Sequence, residues 1–395
     1  MRDEMKKVPR LRFRGFQEDW ELCKLGDVAD HFEYGLNASA IEYDGKNKYL
    51  RITDIDDSSR KFIQNKLTSP NINVEEASNY ILTVGDILFA RTGASVGKTY
   101  RYDIKDGKVY FAGFLIRARI KDSFDSEFVY WTTLTDRYNT FIKIMSQRSG
   151  QPGINAKEYS SFNILIPNIK EQQKIGAFLK KIDDTIALHQ RKLDQLKELK
   201  KAYLKAMFVS MNTKNNKVPK LRFTDFEGDW EQRKLGNISK MYQPQTITGT
   251  ELLPSGYPVF GANGYIGFYS EMNHENDQVT ISARGEGTGT INYVNGPVWI
   301  TGNSMVINVN DFDINKRFLH ANLSSNSLKK YITGGAQPQL TRDILTSVPI
   351  KLPNIFEQNK IGLFFKQLDE TVNLHQNKLT QLKSLKKAYL QNMFI

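Results

Sequence analysis

Cysteine is almost absent: Cys23 stands alone in 395 residues, beside five scattered histidines. That excludes a disulfide framework and a cysteine-rich zinc site. Long hydrophobic runs are also missing. The most apolar stretch, Tyr80 to Ala90, is short and broken by Asp86, and the leading MRDEMKKVPRLRF carries basic residues with no apolar segment behind them. Neither a membrane span nor a secretory leader is expected, and the expected compartment is cytoplasmic. Catalytic signatures are lacking too: there is no Asn-Pro-Pro or Asp-Pro-Pro, no glycine-rich cofactor loop between a strand and a helix, and no HExxH. Gly93 to Thr99 (GASVGKT) imitates a phosphate loop, but only three residues separate its glycines and it leads into Tyr100-Arg101-Tyr102 rather than a helix. Glu198-Leu199-Lys200 has no preceding metal-binding aspartate. No catalytic constellation is found among these residues.

What is present is charge of one sign. Fifty-five lysines and arginines face 43 acidic residues, giving +12 and an isoelectric point near 9.4. That balance favours a polyanionic partner such as nucleic acid. Hydrophobic residues at 40% and aromatics at 11% are too abundant for a disordered chain, and the length suits two or three domains.

The chain repeats itself. KVPRLRFRGFQEDWELCKLGDV (Lys7 to Val28) returns as KVPKLRFTDFEGDWEQRKLGNI (Lys217 to Ile238), with 13 of 22 positions identical. Pro167 to Phe208 returns as Pro353 to Phe394, with 28 of 42 identical. Between these pieces lie two segments with little in common. The layout is a shared segment over 1–28, a variable one over 29–166, a shared helix over 167–209, a linker and repeated lead-in over 210–238, a second variable segment over 239–352 and a second shared helix over 353–395. Parts that touch a common framework repeat, and parts that touch a target differ.

From Glu171 to Phe208 no proline interrupts the chain, and a helix of roughly 38 residues would be about 57 Å long. Its seam alternates four and three residues apart, through Ile175, Leu179, Ile182, Ile186, His189, Leu193, Leu196, Lys200, Tyr203 and Met207. The second copy repeats it through Ile361, Phe365, Leu368, Val372, His375, Leu379, Leu382, Lys386, Tyr389 and Met393. This is a heptad pattern. So long a helix needs a partner, and the other copy has the matching seam. Antiparallel pairing within the chain is expected, which would part the two variable domains; the alternative lays each helix on its own domain. His189 and His375 hold equivalent seam positions, where a polar residue sets register more readily than it holds a metal.

Both variable segments read as strands and turns, with several hairpins in a mixed α and β domain. In the first these are Lys48 to Asp56, Asn79 to Tyr102 and Lys108 to Ile120; in the second, Tyr257 to Ser270, Asp277 to Val294 and Pro297 to Val309. Each has a strand ending in Ala-Arg before a glycine-rich turn, at Arg91 and at Arg284. Candidate nucleic-acid contacts are Arg51, Thr53, Arg91, Thr92, Ser95, Lys98, Arg148, Ser149 and Gln151, then Asn263, Tyr265, Arg284, Asn303, Ser304, Gln337 and Gln339. Arginine pairs bidentately with guanine, and side-chain amides with adenine. Gln151-Pro152 and Gln337-Pro338 hold matching positions before the shared helices and serve equally well as hinges.

The doubled KLRFxxFxxxWExxKLG and PNIxEQxKIG…LKKAYLxxMF, framing two unlike segments over the whole chain, resemble the specificity (S) subunit of type I restriction-modification systems. The resemblance implies an α+β fold, pseudo-twofold symmetric, with two mixed α/β target recognition domains separated by two long antiparallel helices that form a coiled-coil spacer. It implies a non-catalytic subunit, with no metal and no cofactor of its own, that binds double-stranded DNA, each domain reading half of an asymmetric bipartite site. Two methyltransferase (M) subunits using S-adenosylmethionine to methylate adenine, and two restriction (R) subunits using ATP and Mg, would be its partners. A coiled-coil adaptor binding only proteins is the alternative.

Overall fold

The computed structural model describes residues 8–73, 77–147, 150–210, 216–285, 287–334 and 337–395. They form two units, Met1–Leu188 with Leu379–Ile395, and His189–Lys378. Among the described residues no helix is long and apolar enough to cross a membrane.

In the first unit a four-stranded antiparallel sheet runs in the order Ala29–Tyr34, Leu115–Ile120, Asp86–Ala90, Thr99–Arg101. Its central strand DILFA is buried at every position, as expected for a strand covered on both faces. Beside it Lys48–Leu50 pairs in parallel with Val109–Phe111. In the second unit the corresponding sheet runs Lys240–Tyr242, Ser304–Asn308, Gln278–Ser282, Ile291–Val294, again antiparallel and again with a fully buried central strand. A three-stranded sheet joins Gly264–Tyr269, Tyr257–Gly261 and Trp299–Ile300. The expected hairpins are present in both domains. The helices Ser126–Thr132, Asp136–Met145 and Lys316–Ser325 lie outside the strand-and-turn pattern of the sequence. The first is short, and five of its seven residues are buried, so it has no polar face to mark a helical period.

The repeated segments become one frame built twice. In the first unit Glu21–Lys24 pairs antiparallel with Asn163–Ile166, closing the variable domain at its neck; in the second, Glu231–Lys234 pairs with Pro349–Leu352. The Glu-Gln of each PNIxEQ motif explains its own presence. Glu171, fully buried, takes Arg12 Nε and Nη2 at 2.7 and 2.8 Å, while Gln172 accepts from the Asp125 amide and donates to the Pro167 carbonyl. Glu357 takes Arg222 at 2.8 and 2.7 Å, and Gln358 bridges the Asn315 amide and the Pro353 carbonyl. The motif glycine is steric. A Cβ on Gly176 would lie 2.7 Å from Asp125 Oδ1, and one on Gly362 2.4 Å from Asn315 Oδ1, where those carboxyl and amide oxygens cap helices. Trp20 and Trp230 are buried against Phe128 with Phe394 and against Phe318 with Phe208.

The long helices span Ile169–Ala206 and Ile355–Asn392, 38 residues each. They lie antiparallel inside both units. In the first, Phe178 meets Tyr389 edge-on at 4.8 Å and Asp183 holds Lys386 Nζ at 2.5 Å. In the second, Tyr203 meets Phe364 at 5.0 Å and Lys200 Nζ holds Asp369 at 2.5 Å. Ile182, Leu193, Leu196 and Leu379 are buried, and Ile186, Tyr203, Leu368, Val372, Leu382 and Tyr389 half-buried. His189 and His375 touch, Nδ1 to Nδ1, at 3.1 Å. One ring must donate and the other accept, so the pair defines a register.

Candidate nucleic-acid interface

In each domain the fold brings some of the candidate residues together beside the glycine turn. In the second, the Ala262-Asn263 turn approaches Gly287, with Asn263 Oδ1 2.5 Å from where a Cβ on that glycine would sit, and Ser282 Oγ donates to the Ala262 carbonyl. The Asn303 carbonyl accepts from the Ala283 amide, and the Pro338 carbonyl accepts from the Gly285 amide and from Thr288 Oγ1. Asn263, Tyr265, Arg284, Asn303, Gln337 and Gln339 are therefore exposed together at one edge of the domain. Ser304 is different: it is fully buried, and its Oγ donates to the Gly261 carbonyl. It begins a strand buried on both faces, so it is withdrawn from any interface.

The first domain repeats the tie. The Gly93 amide donates to the Pro152 carbonyl and the Ile154 amide to the Arg91 carbonyl, as the Gly285 amide donates to Pro338 and the Leu340 amide to Ala283. Each Gln-Pro thus straps the glycine turn through its proline carbonyl, which is the hinge role, while Gln151 and Gln337 remain exposed. By this register Thr92, not Arg91, is the counterpart of Arg284. The Arg91 guanidinium lies over the Tyr34 ring at 5.0 Å and has no carboxylate partner among the described residues, an orientation suited to a planar acceptor pair. Tyr34 carried no sequence signal, since its contact joins residues distant in the chain.

Arg51 is held bidentately by Asp54 at 2.8 and 2.9 Å, with Thr53 Oγ1 on the same carboxylate, so this cluster is a self-contained turn. Lys98 is buried: its Nζ meets Asp57 at 2.5 Å and the Ile55 carbonyl at 3.2 Å. The loop Gly93–Ser95 forms a 3-10 turn that leads into strand Thr99–Arg101, not the helix a nucleotide loop requires. Arg148 and Ser149 lie outside the described residues.

Known proteins share this fold. The family model of the type I restriction modification DNA specificity domain matches residues 17–198 and 227–384. The chain belongs to that family. Its two matches coincide with the two copies of the frame, and it is a DNA sequence-recognition subunit of a type I restriction-modification system rather than a protein-only adaptor. The type I restriction enzyme MjaVIII specificity subunit of Methanocaldococcus jannaschii is 20% identical over 415 residues, covering 94% of this chain and 91% of that protein. The EcoprrI specificity subunit of Escherichia coli is 25% identical over 177 residues, 44% of this chain and 43% of that one. A crystal structure of the S subunit from M. genitalium has the same fold, with a TM-score of 0.75 at 17% identity, covering 98% of this chain and 99% of that one. Specificity subunits carry no catalytic role of their own.

Proposed function

We propose that the domains at 29–166 and 239–352 each read one half of an asymmetric bipartite site on double-stranded DNA, and that the paired helices set the unread gap. The single observation behind this reading is the repeated strap: the same Gly-amide-to-Pro-carbonyl tie positions two loop clusters whose side chains differ. Arg91, Thr92 and Gln151 would contact one half-site, and Arg284, Asn263, Asn303, Gln337 and Gln339 the other. Unlike side chains on like mounts read unlike bases.

The frame would dock two methyltransferase subunits, which would use S-adenosylmethionine to methylate adenine, and two restriction subunits, which would use ATP and Mg to move along and cut DNA, all in the cytoplasm. Support comes from leucines off the seam. Leu188 and Leu374 hold equivalent places at 62% and 68% exposure, and Leu199 and Leu385 both stand at 44%; repeated exposed apolar side chains suit a partner that binds twice. The test is exchange of residues 29–166 for those of another specificity subunit. One half-site should change while the other half and the gap stay. A change in both halves, or in the gap, would refute the division of labour.

A further inference from the structure

Beside the glycine turn of the first domain lies an open cleft of about 190 Å3, lined by Asp57, Arg60, Ser95, Lys98, Asn139 and Ile142. On its floor the Lys98 side chain is only 9% exposed, yet its charge partner, Asp57, is 89% exposed. A buried ammonium needs an anion beside it, and the one in place is held by little except that ammonium. Lys98 keeps the Asp57 carboxyl below the usual carboxylate range. The neighbouring Asp56 is anchored differently, by the amides and hydroxyls of Ser58 and Ser59, so the turn keeps its shape if Asp57 swings away. Arg60 closes that turn at φ 57°, a left-handed conformation that non-glycine residues rarely adopt. Among the described residues the side chains of Arg60, Ser95 and Asn139 make no hydrogen bond or ion pair. The cleft thus offers two cations, a hydroxyl and an amide around a single displaceable carboxylate.

We infer that this cleft takes a phosphodiester of the DNA backbone, and that Asp57 is an internal stand-in for the phosphate, displaced from Lys98 when DNA binds. The inference rests on the DNA-reading role of the first domain and extends it. The phosphate would accept from Lys98 Nζ and the Arg60 guanidinium, while Asp57 moves into water at little packing cost. The exchange keeps the buried lysine paired in both states and opposes binding of any duplex. The second domain has Gly-Glu-Gly-Thr-Gly at its glycine turn and no lysine to play this part.

The experiment measures binding of the full chain to a long mixed-sequence duplex by fluorescence anisotropy over a salt series. Asp57→Asn should tighten binding about threefold, the scale of an exposed ion pair. Lys98→Met should weaken it and lower the salt slope by about 0.9, the value of one phosphate contact. The deciding arm is the double variant: Asp57→Asn should gain nothing once Lys98 is methionine. Equal tightening in both backgrounds would be a general charge effect and would overturn the inference, as would no tightening at all. Should Lys98→Met fail to fold, Arg60→Asn takes its place, since asparagine tolerates positive φ. Thermal stabilisation by inorganic phosphate that these variants abolish, with duplex binding untouched, would assign the cleft to a free anion and also overturn it. A wild-type chain that binds no duplex would remove the DNA-reading role itself; normal binding indifferent to these variants would remove only the phosphate site.

Discussion

The two variable domains hang on one frame but fill their interiors with different chemistry. The first buries charge. Arg117, 2% exposed, sits between Glu33 and Asp86; Asp86, fully buried, also takes Arg119 at 2.8 and 3.0 Å, and Arg101 pairs with Glu127 at 2.7 Å. The second buries neutral polar groups: Thr280, Ser282 and Ser304 are fully enclosed, with Gln278, Thr301 and Asn322 nearly so. The difference teaches where the constraint lies. Each domain meets the frame at its neck ribbon, its capped helix and its buried tryptophan, and those contacts repeat almost atom for atom. Beyond them the interior is free to change.

The largest test of that division removes a frame carboxylate. Glu171→Ala and Glu357→Ala each strand a guanidinium that is less than one-fifth exposed, and each should destabilise its unit by about 3–5 kcal/mol. Denaturant melts of the two variants should be alike; a clearly unequal pair would break the equivalence of the frames.

Acid should then separate the two units. His320 is five residues past the cap Asn315, as Tyr130 is past Asp125. Burial, aided by Lys200, lowers the His320 pKa to about 4, against an ordinary value near 6.5. With the folded value depressed, the unfolded chain binds the extra proton. Stability is therefore full above about pH 6.5 and falls as pH drops toward 4, by roughly 3 kcal/mol in all. Tyr130 stays neutral across that window, since burial raises its pKa. Hydrogen exchange at pH 7 and pH 4.5 should show the second unit loosening first, and His320→Tyr should remove the difference. Equal loosening of both units would contradict it.

Base reading should respond more modestly. Gln151→Ala and Gln337→Ala should each relax one half-site by about 1–3 kcal/mol of discrimination, the worth of a bidentate amide contact, without shifting the melting temperature. A loss of stability instead would assign the glutamines to the hinge along with their prolines. Smallest is Thr280→Val. Its buried Oγ1 has no hydrogen-bond partner among the described residues, so an isosteric methyl should stabilise the second domain by about 1 kcal/mol. Destabilisation would mean that the neutral polar interior is a connected network.

Much of this was legible in the sequence because repetition and heptad spacing report a framework directly. The Glu-Gln, Lys-Ile-Gly and tryptophan motifs recur because each touches a partner that also recurs. Burial of single polar residues was not legible. Ser304 and Lys98 have ordinary surface chemistry, and only their strand neighbours and the Asp57 turn take them inside. The Tyr34 stack on Arg91 and the placement of Arg60 depend on contacts between distant segments, which no local spacing encodes. The glycine turns are visible in the sequence, but the register that pairs Thr92 with Arg284 is set by the proline straps.

Two different readers on one frame must give this chain a two-part target. Co-expressed with its methyltransferase subunit in a methylation-free host, it should direct methylation, mapped by single-molecule sequencing, to a motif of two unlike halves around an unread gap, absent when the chain is omitted. An assembled complex that methylates no motif, or one with identical halves, would contradict two different readers on one frame.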